Sequence, residues 1–319
     1  MIYFSSLPEP LSSIGGALPV TLAGLTEPKA DLRLYADDGM LLGTKRVVAQ
    51  HDEATIDIAP LLRRVVRYAP MRGATELFSD TDRLVRVRFE AECEGVIVTA
   101  ATRAYFASDE AISAPLCCTT QPRERLLATD EWDELTLLTD GPLTITLTAE
   151  GRQGVTSEQF KSYLGGAVLL RIAAADFPDA HAITVDAGDY GVFRYTLIAP
   201  IEGSVRLAWR NRLGGIEHYT FPLVTRKEWV VRKERAYGDE GYCLAAVERE
   251  ERWSLRSAYE VAARCEALTE LLSAEEVWRV TKAGYEAVDV LSDAASVEQN
   301  GSLQLLTVTM RAAQKGGRL

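Results

Sequence analysis

The 319-residue sequence has few of the residues that most often carry enzyme chemistry or bind metals. Its three histidines are His51, His181 and His218, and their spacing repeats neither a metal-ligand pattern nor a catalytic triad. The five cysteines are odd in number and lack CxxC spacing, so neither a disulfide framework nor a zinc site is predicted. We therefore expect no cofactor, no metal and no enzymatic activity.

The sequence also lacks an excess of basic charge. It contains 46 acidic and 35 basic residues, and each third of the chain has more acids than bases: 16 to 12 in residues 1–110, 14 to 9 in 111–221, and 16 to 14 in 222–319. A protein that binds nucleic acid needs a basic surface to neutralise phosphates. The charge therefore favours a protein or sugar partner over nucleic acid.

Long hydrophobic runs are missing as well. The first residues lack the basic and apolar regions of a secretion signal, and no later run approaches the roughly 20 apolar residues of a membrane span. We expect a protein that is made in the cytoplasm, without a signal peptide and without membrane insertion.

What the chain does have is many short β-strand patterns. In residues 1–110, apolar or β-branched positions alternate between turn residues, which predicts an immunoglobulin-like β-sandwich. The predicted strands are Pro19–Gly24, Asp31–Ala36, Leu41–Gln50, Ala54–Ile58, Leu84–Cys93 and Val96–Ala104. Residues 60–68 could form a helical crossover with Arg63, Arg64 and Arg67 outward. These arginines could bind an anion, but a solvated face is the better interpretation.

A second immunoglobulin-like sandwich is predicted for residues 111–221. Periodicity is lost over Ala107–Glu131, which suits a connection or an edge strand. The strands predicted after it are Leu135–Leu138, Leu143–Ala149, Ala167–Ala173, Ala182–Asp186, Gly191–Ala199, Ser204–Asn211 and Ile216–Phe221. On this interpretation the last two strands form the closing hairpin of the second sandwich.

The pattern changes after Pro222 and predicts a smaller α+β domain over residues 222–319. Two long strands are expected at Lys227–Ala236 and Glu251–Ala262, the second with Trp253, Leu255, Tyr259 and Val261 on one face. A helix follows, because Leu268, Leu271 and Leu272 recur at helical spacing. Strands at Val277–Thr281, Tyr285–Leu291 and Leu303–Met310 complete the domain.

Acidic residues cluster at three places, Asp37–Asp38, Asp130–Glu134 and Asp176–Asp189. Paired carboxylates serve glycosidases, but a pair must flank a cleft, which a sequence does not reveal. Aspartate is common in turns because it accepts local backbone hydrogen bonds. We therefore interpret these clusters as structural.

The most distinctive segment is an aromatic hairpin with a Trp-x-Asn-x-x-Gly-Gly core. Its notable residues are Trp209, Asn211, Gly214, Gly215, His218, Tyr219 and Phe221. The glycines permit positive φ in the turn, and the Asn side chain can bond a neighbouring backbone group. His218 could line a sugar or peptide contact but is expected on the outer face of the hairpin. The hairpin is predicted to be an interdomain joint or an interaction element.

This segment resembles a Trp-x-Asn-x-x-Gly-Gly signature in uncharacterised structural proteins of tailed phages and prophages. Looser similarity extends to Asp57–Arg63, Arg226–Trp229 and Leu268–Val277. The resemblance implies a tail-like or baseplate-like component of a phage particle, without catalytic residues to transfer. Its partners would be other structural proteins or copies of itself, as in a homomeric ring. The alternative is an adhesion module that binds a carbohydrate or a protein through its sandwich loops.

Overall fold

The computed structural model describes residues 1–66, 70, 72–79, 82–238 and 241–313, and they form three β-sheet units. The first eight strands are β1 (Tyr3–Ser6), β2 (Pro19–Ala23), β3 (Lys29–Tyr35), β4 (Leu41–Val48), β5 (Glu53–Asp57), β6 (Glu76–Ser79), β7 (Leu84–Cys93) and β8 (Val96–Phe106). One short helix, α1 (Ala59–Leu62), follows β5.

The first unit is a sandwich of two antiparallel sheets, ordered β1-β2-β5 and β4-β3-β7-β8. Alternation along the strands produces its core: in β3, for example, Leu32 and Leu34 are fully buried and lie with Phe89 in one apolar cluster. This strand order is immunoglobulin-like, as the sequence predicted. Arg63 and Arg64 are exposed, as predicted, and Arg63 also donates hydrogen bonds to the carbonyls of Ile14 (2.8 Å) and Gly15 (2.9 Å). Arg67 lies outside the described residues.

The second unit is also an immunoglobulin-like sandwich. Its strands are β9 (Leu116–Cys117), β10 (Glu124–Ala128), β11 (Trp132–Thr139), β12 (Leu143–Gly151), β13 (Gly154–Ser162), β14 (Gly166–Ala173), β15 (Ala180–Asp186) and β16 (Val192–Ile198). They form sheets ordered β6-β14-β11-β9 and β10-β16-β15-β12-β13, with β10 parallel to β16. The sequence did not predict β13, because its residues are mostly exposed and show no alternation of apolar and polar positions.

One strand of the second sandwich comes from the chain of the first. β6 lies between two strands of the first sandwich in sequence, but it pairs antiparallel with β14, placing Leu77 opposite Leu170. Only three residues separate β13 from β14, so the second sandwich has no local segment to fill that edge. Sheet pairing therefore crosses the predicted boundary at residue 110.

The third unit is built on a nine-stranded sheet. Its strands are β17 (Val205–Arg210), β18 (Ile216–Phe221), β19 (Leu223–Gly238), β20 (Gly241–Arg256), β21 (Glu260–Val261), β22 (Val277–Thr281), β23 (Gly284–Val290), β24 (Ser296–Asn300) and β25 (Leu303–Ala312). Helix α2 (Ala262–Leu268) continues into a 3₁₀ turn at Thr269–Leu272. Cys265, Leu268 and Leu271 are buried in the core on this sheet and Leu272 packs against it partly buried, which confirms the predicted apolar stripe at all three leucines.

The sheet order is β18-β17-β22-β23-β25-β20-β19, with β21 and β24 added beside β25. The prediction that β17 and β18 close the second sandwich is therefore wrong, since β17 pairs with β22 of the third unit. The pattern change at Pro222 is not a domain boundary, because the strands on both sides of it belong to one sheet. Only Pro222 separates β18 from β19, so the chain passes directly from one end strand of the sheet to the other.

A second correction concerns β20. This strand begins ten residues earlier than expected and ends at Arg256, so Tyr259 and Val261 do not continue its buried face. Both are about half exposed. Trp253 and Leu255 are buried, as the alternation predicted.

Candidate functional site at the Trp209–Phe221 hairpin

Asn211 organises the turn between β17 and β18. Its Oδ1 accepts hydrogen bonds from the backbone N–H groups of Leu213 (3.0 Å) and Gly215 (2.9 Å). Its Nδ2 donates to the carbonyl of Cys118 (3.0 Å) and to Oε1 of Glu217 (2.8 Å). The side chain is buried, and all of these bonds are satisfied inside the protein. Asn211 thus fixes the turn and ties it to the second sandwich.

The two turn glycines allow backbone segments to approach closely. Gly214 has φ +84°, and a Cβ there would lie 2.2 Å from the carbonyl oxygen of Ala107, just after the last strand of the first sandwich. A Cβ on Gly215 would lie 2.0 Å from the carbonyl oxygen of Cys118, just after β9. Any larger residue would push the turn away from its neighbours. The turn of the third unit is therefore wedged against both sandwiches.

Charged side chains surround the same turn. Arg83 donates to the carbonyl of Gly214 (3.1 Å) and forms a buried ion pair with Glu134 of β11 (2.7 Å). Arg212 bridges Glu110 (3.0 Å) to Glu270 (2.7 Å). These pairs connect the segment after the first sandwich, a strand of the second, and the 3₁₀ turn of the third. The hairpin turn is thus a joint at which all three units meet.

The aromatic residues of the hairpin face the core of the third unit. Trp209 and Phe221 are fully buried, and the ring of Tyr219 packs edge-on against Phe221 at 4.9 Å between centroids. The Tyr219 hydroxyl donates to Oε1 of Glu260 (2.8 Å) and accepts from the N–H of Ala258 (3.1 Å). Burial, together with the nearby Glu260, raises the pKa of Tyr219 well above its usual value. These rings hold β18 to the chain after β20.

His218 does not lie on an outer face, which corrects the sequence expectation. Its side chain is fully buried, with Nδ1 3.0 Å from Oδ1 of Asp133 and Nε2 3.1 Å from the hydroxyl of Tyr285. Strand β18 lies against β11, so the face that would be solvated in an isolated hairpin is covered. The Tyr285 hydroxyl also accepts a bond from Nε1 of Trp132 (2.8 Å). With both ring nitrogens engaged, His218 links two units.

Asp133 is the centre of a buried charged network between β11 and the hairpin. Arg125 donates to it at 2.8 Å and lies 3.6 Å from Glu217. Burial disfavours the charged carboxylate, but Arg125 and His218 outweigh that effect and hold the pKa of Asp133 well below its ordinary range. Breaking one partner of such a pair leaves a buried charge uncompensated. The network therefore disfavours any other packing of the second unit against the third, because a shifted interface would leave these charges buried without partners.

A cleft of about 700 Å³, including open solvent, lies beside this network. Its walls come from the second sandwich and from the third unit, and include Gln121, Arg206, Glu260 and Arg264. Arg206 is engaged by Glu131 (2.8 Å) and by the carbonyl of Trp132 (2.7 Å). The Nε2 of Gln121 is buried and has no partner among the described residues.

The residues that the structure describes give little indication of a metal site or of a reactive cysteine. Among residues 1–66, 70, 72–79, 82–238 and 241–313, no cluster of three or more His, Cys, Asp or Glu side chains could hold a metal ion. Burial raises the pKa of the Cys117 thiol to about 12 and also raises that of Cys118, so neither is an activated nucleophile. No helix within the same ranges is long and apolar enough to cross a membrane.

Sequence reasoning found the hairpin residues but missed their partners. The acidic cluster predicts a turn at Asp133 and Glu134, but both residues lie within β11, where every residue is buried. A signal was present: two acids directly precede the apolar run Leu135–Leu138. The identity of their partners, Arg83 and Arg125, depends on segments far apart in sequence.

Comparison with known proteins names no family. No family model and no curated protein matches the chain. Among solved structures, Dpr2 Ig1-Ig2 in complex with DIP-Theta Ig1-Ig3 is 11% identical, with 62% of this chain and 99% of that chain covered and a TM-score of 0.20. Alpha-2-macroglobulin of E. coli is 8% identical, with 99% and 27% covered and a TM-score of 0.22. A bacterial ice-binding adhesin is 9% identical, with 98% and 96% covered and a TM-score of 0.20. TM-scores of this size do not establish a common fold, and the immunoglobulin-like assignment rests on strand order.

Proposed function

We propose that this chain is a non-enzymatic structural protein that acts through protein–protein contacts, as a tail-like or baseplate-like component of a phage or prophage particle. The observation that best supports the proposal is the hairpin joint. The residues of its phage-like signature are used to lock three β units into one body, and the His218 ring has both nitrogens engaged internally. A subunit of an assembly must keep its binding surfaces in fixed relative positions, and a joint that holds three units together serves that purpose without a reactive group.

The proposal is tested by locating the chain in cells that carry its gene. Phage-like particles are induced, separated on a density gradient and analysed by quantitative mass spectrometry. We expect the chain to co-sediment with capsid proteins at a constant ratio in every particle fraction. Recovery of the chain only from fractions without particles would contradict the proposal.

A second candidate, carbohydrate binding, is favoured by one observation. The unpaired Nε2 of Gln121 is a buried donor in the wall of the cleft, and a sugar hydroxyl could satisfy it. A glycan array with the purified chain tests this function, with Gln121→Ala as the variant and Gln153→Ala, on an exposed loop of the second sandwich, as the control. Specific binding that only the Gln121 variant loses would favour adhesion over assembly.

A further inference from the structure

The long hairpin β19–β20 extends beyond the sheet that carries it. Strand β20 pairs with β25 only over Arg252–Arg256. Among the described residues, the outer segments, Lys227–Gly238 and Gly241–Glu251, pair with no strand outside this hairpin. We call these two segments the arm. An isolated two-stranded ribbon is marginally stable in water, so an arm of this length gains stability when another surface covers it.

The exposed large apolar side chains of the arm all lie on one face, and Val230 on the other face is only partly exposed. Residues directly opposite in an antiparallel ladder share a face, and the register pairs Val231 with Arg249, Lys233 with Val247, and Tyr237 with Tyr242. Alternate residues along each strand share a face, and a bulge at Ala245 shifts this alternation by one residue in β20. The register therefore assigns one group of apolar residues to a single face. It contains Trp229, Val231, Tyr237, Tyr242, Leu244 and Val247, which are 46% to 78% exposed. We call this the aromatic face.

The two faces of the arm carry opposite charge. The aromatic face has four cations and one acid: Lys227, Lys233, Arg235, Arg249 and Glu251. The other face, which we call the acidic face, has four acids and one cation: Glu228, Glu234, Glu248, Glu250 and Arg232. Within the arm the net charges are therefore +3 and −3; Arg252, opposite Glu228 just below the arm, brings the acidic face to −2 when it is included. Glu250 is already paired with Arg252 and Arg311 at the base of the arm.

The faces also differ in shape. Between its charges, the acidic face carries small side chains toward the tip: Ala236, Cys243 and Ala246. Such side chains leave room for the tyrosines and leucine of an aromatic face. Two aromatic faces brought together would instead oppose like charges, which destabilises a sheet contact.

Resting on the proposed assembly function, we propose that the partner of the arm is a second copy of this chain, with the aromatic face of one arm stacked on the acidic face of the next. Each copy offers both faces, so the contact is head-to-tail and builds a ring or an open chain of subunits. An arm about 40 Å long and about 10 Å wide covers roughly 400 Å² per face. A single contact of that size is weak, and we expect association to be concentration-dependent and sensitive to salt.

The experiment is charge exchange between the faces of the full chain, followed by sedimentation velocity over a range of protein concentrations. One variant, Lys233→Glu with Arg235→Glu, reverses the aromatic face; the other, Glu234→Lys with Glu248→Lys, reverses the acidic face. We expect the native chain to self-associate and each variant to remain monomeric at the same concentration. Mixing the two variants is expected to restore association, since each then meets a complementary face.

Two controls keep the result interpretable. Tyr237→Ser with Tyr242→Ser should weaken association at least tenfold, whereas Ala236→Ser with Cys243→Ser, at neighbouring positions on the acidic face, should not. All four variants change exposed residues, so thermal unfolding should match that of the native chain and exclude misfolding as the cause.

Three outcomes would overturn the proposal: a native chain that stays monomeric, an acidic-face variant that associates like the native chain, or a mixture that fails to associate. The density-gradient test of the proposed function is independent of these results. A monomeric chain that still co-sediments with particles would refute the arm contact alone. A chain that associates through its arms but is absent from particles would refute the particle assignment alone.

Discussion

The hairpin β17–β18 and the hairpin β19–β20 follow one another in the chain and belong to the same sheet, yet their surroundings are opposite. The first has a tight turn wedged between two sandwiches, and nearly all of its residues are buried. The second has a turn with open space around Gly241 and strands that are mostly exposed. Both contain aromatic and charged residues, so composition alone does not separate them.

The difference teaches that a residue type acquires its role from what covers it. Glu217 in the first hairpin accepts bonds from Thr119, Thr120 and Asn211 and fixes an internal joint. Glu248 in the second lies exposed opposite Arg232, and attraction between exposed charges contributes little to stability. The first hairpin therefore specifies the fold of one molecule. The second is available to another molecule.

The largest expected contrast is between the tryptophans of the two hairpins. Trp209→Ala removes a fully buried ring and should reduce the free energy of unfolding by about 4 kcal/mol. Trp229→Ala removes a half-exposed ring that stacks with Lys227 and Arg249, and should cost less than about 1 kcal/mol. Urea unfolding of both variants measures the difference. Equal losses would show that the arm is as integral to the fold as the joint.

The next contrast concerns two carboxylates with lowered pKa values. Asp133→Asn should cost about 3 kcal/mol near pH 7, because it leaves Arg125 and His218 buried without their charged partner. Glu250→Gln, in the arm, also removes a carboxylate whose pKa is lowered, through hydrogen bonds from Arg252 and Arg311. Its effect should be smaller and should weaken in high salt, because both arginines remain partly accessible to solvent.

The stabilisation that Asp133 provides should also depend on pH. In the native chain, Asp133 stays ionised well below the unfolded pKa of about 3.9, so its stabilisation is fully present above that value. As the pH falls through about 4 toward 2, the unfolded state takes up a proton that the folded state does not, and the stabilisation declines. The gap in unfolding free energy between native protein and Asp133→Asn should therefore narrow on acidification. A constant gap would contradict the assigned ion pair.

The smallest expected contrast is between the turn glycines. Gly214 and Gly241 both have positive φ, so an alanine at either position incurs similar backbone strain. Only at Gly214 would the new Cβ meet a backbone atom, the carbonyl oxygen of Ala107. Gly214→Ala should therefore be more destabilising than Gly241→Ala by about 2 kcal/mol. Equal melting temperatures for the two variants would show that the backbone around Gly214 can move enough to accommodate a Cβ atom.

The local structure of this chain was determined to a large extent by its sequence. Alternation placed β3, β7 and β12 within a few residues, because burying one face of a strand requires a period of two. Helical spacing located α2 in the same way. β13 and the outer part of β20 were not predicted, since strands that bury neither face show no such period.

The assignment of strands to sheets, and of partners to the hairpin, was decided only by the tertiary structure. Strand β6 completes the second sandwich, although its neighbours in sequence belong to the first. Strand β17 pairs with β22 across some 70 residues of chain. His218 is buried because β11 covers it. Pairing and coverage depend on contacts between distant segments, which leave no local period in the sequence. The sequence by itself determined which residues could form the Trp-x-Asn-x-x-Gly-Gly turn. Its place as the joint of three units comes from the backbone segments at Ala107 and Cys118, between which only glycines fit.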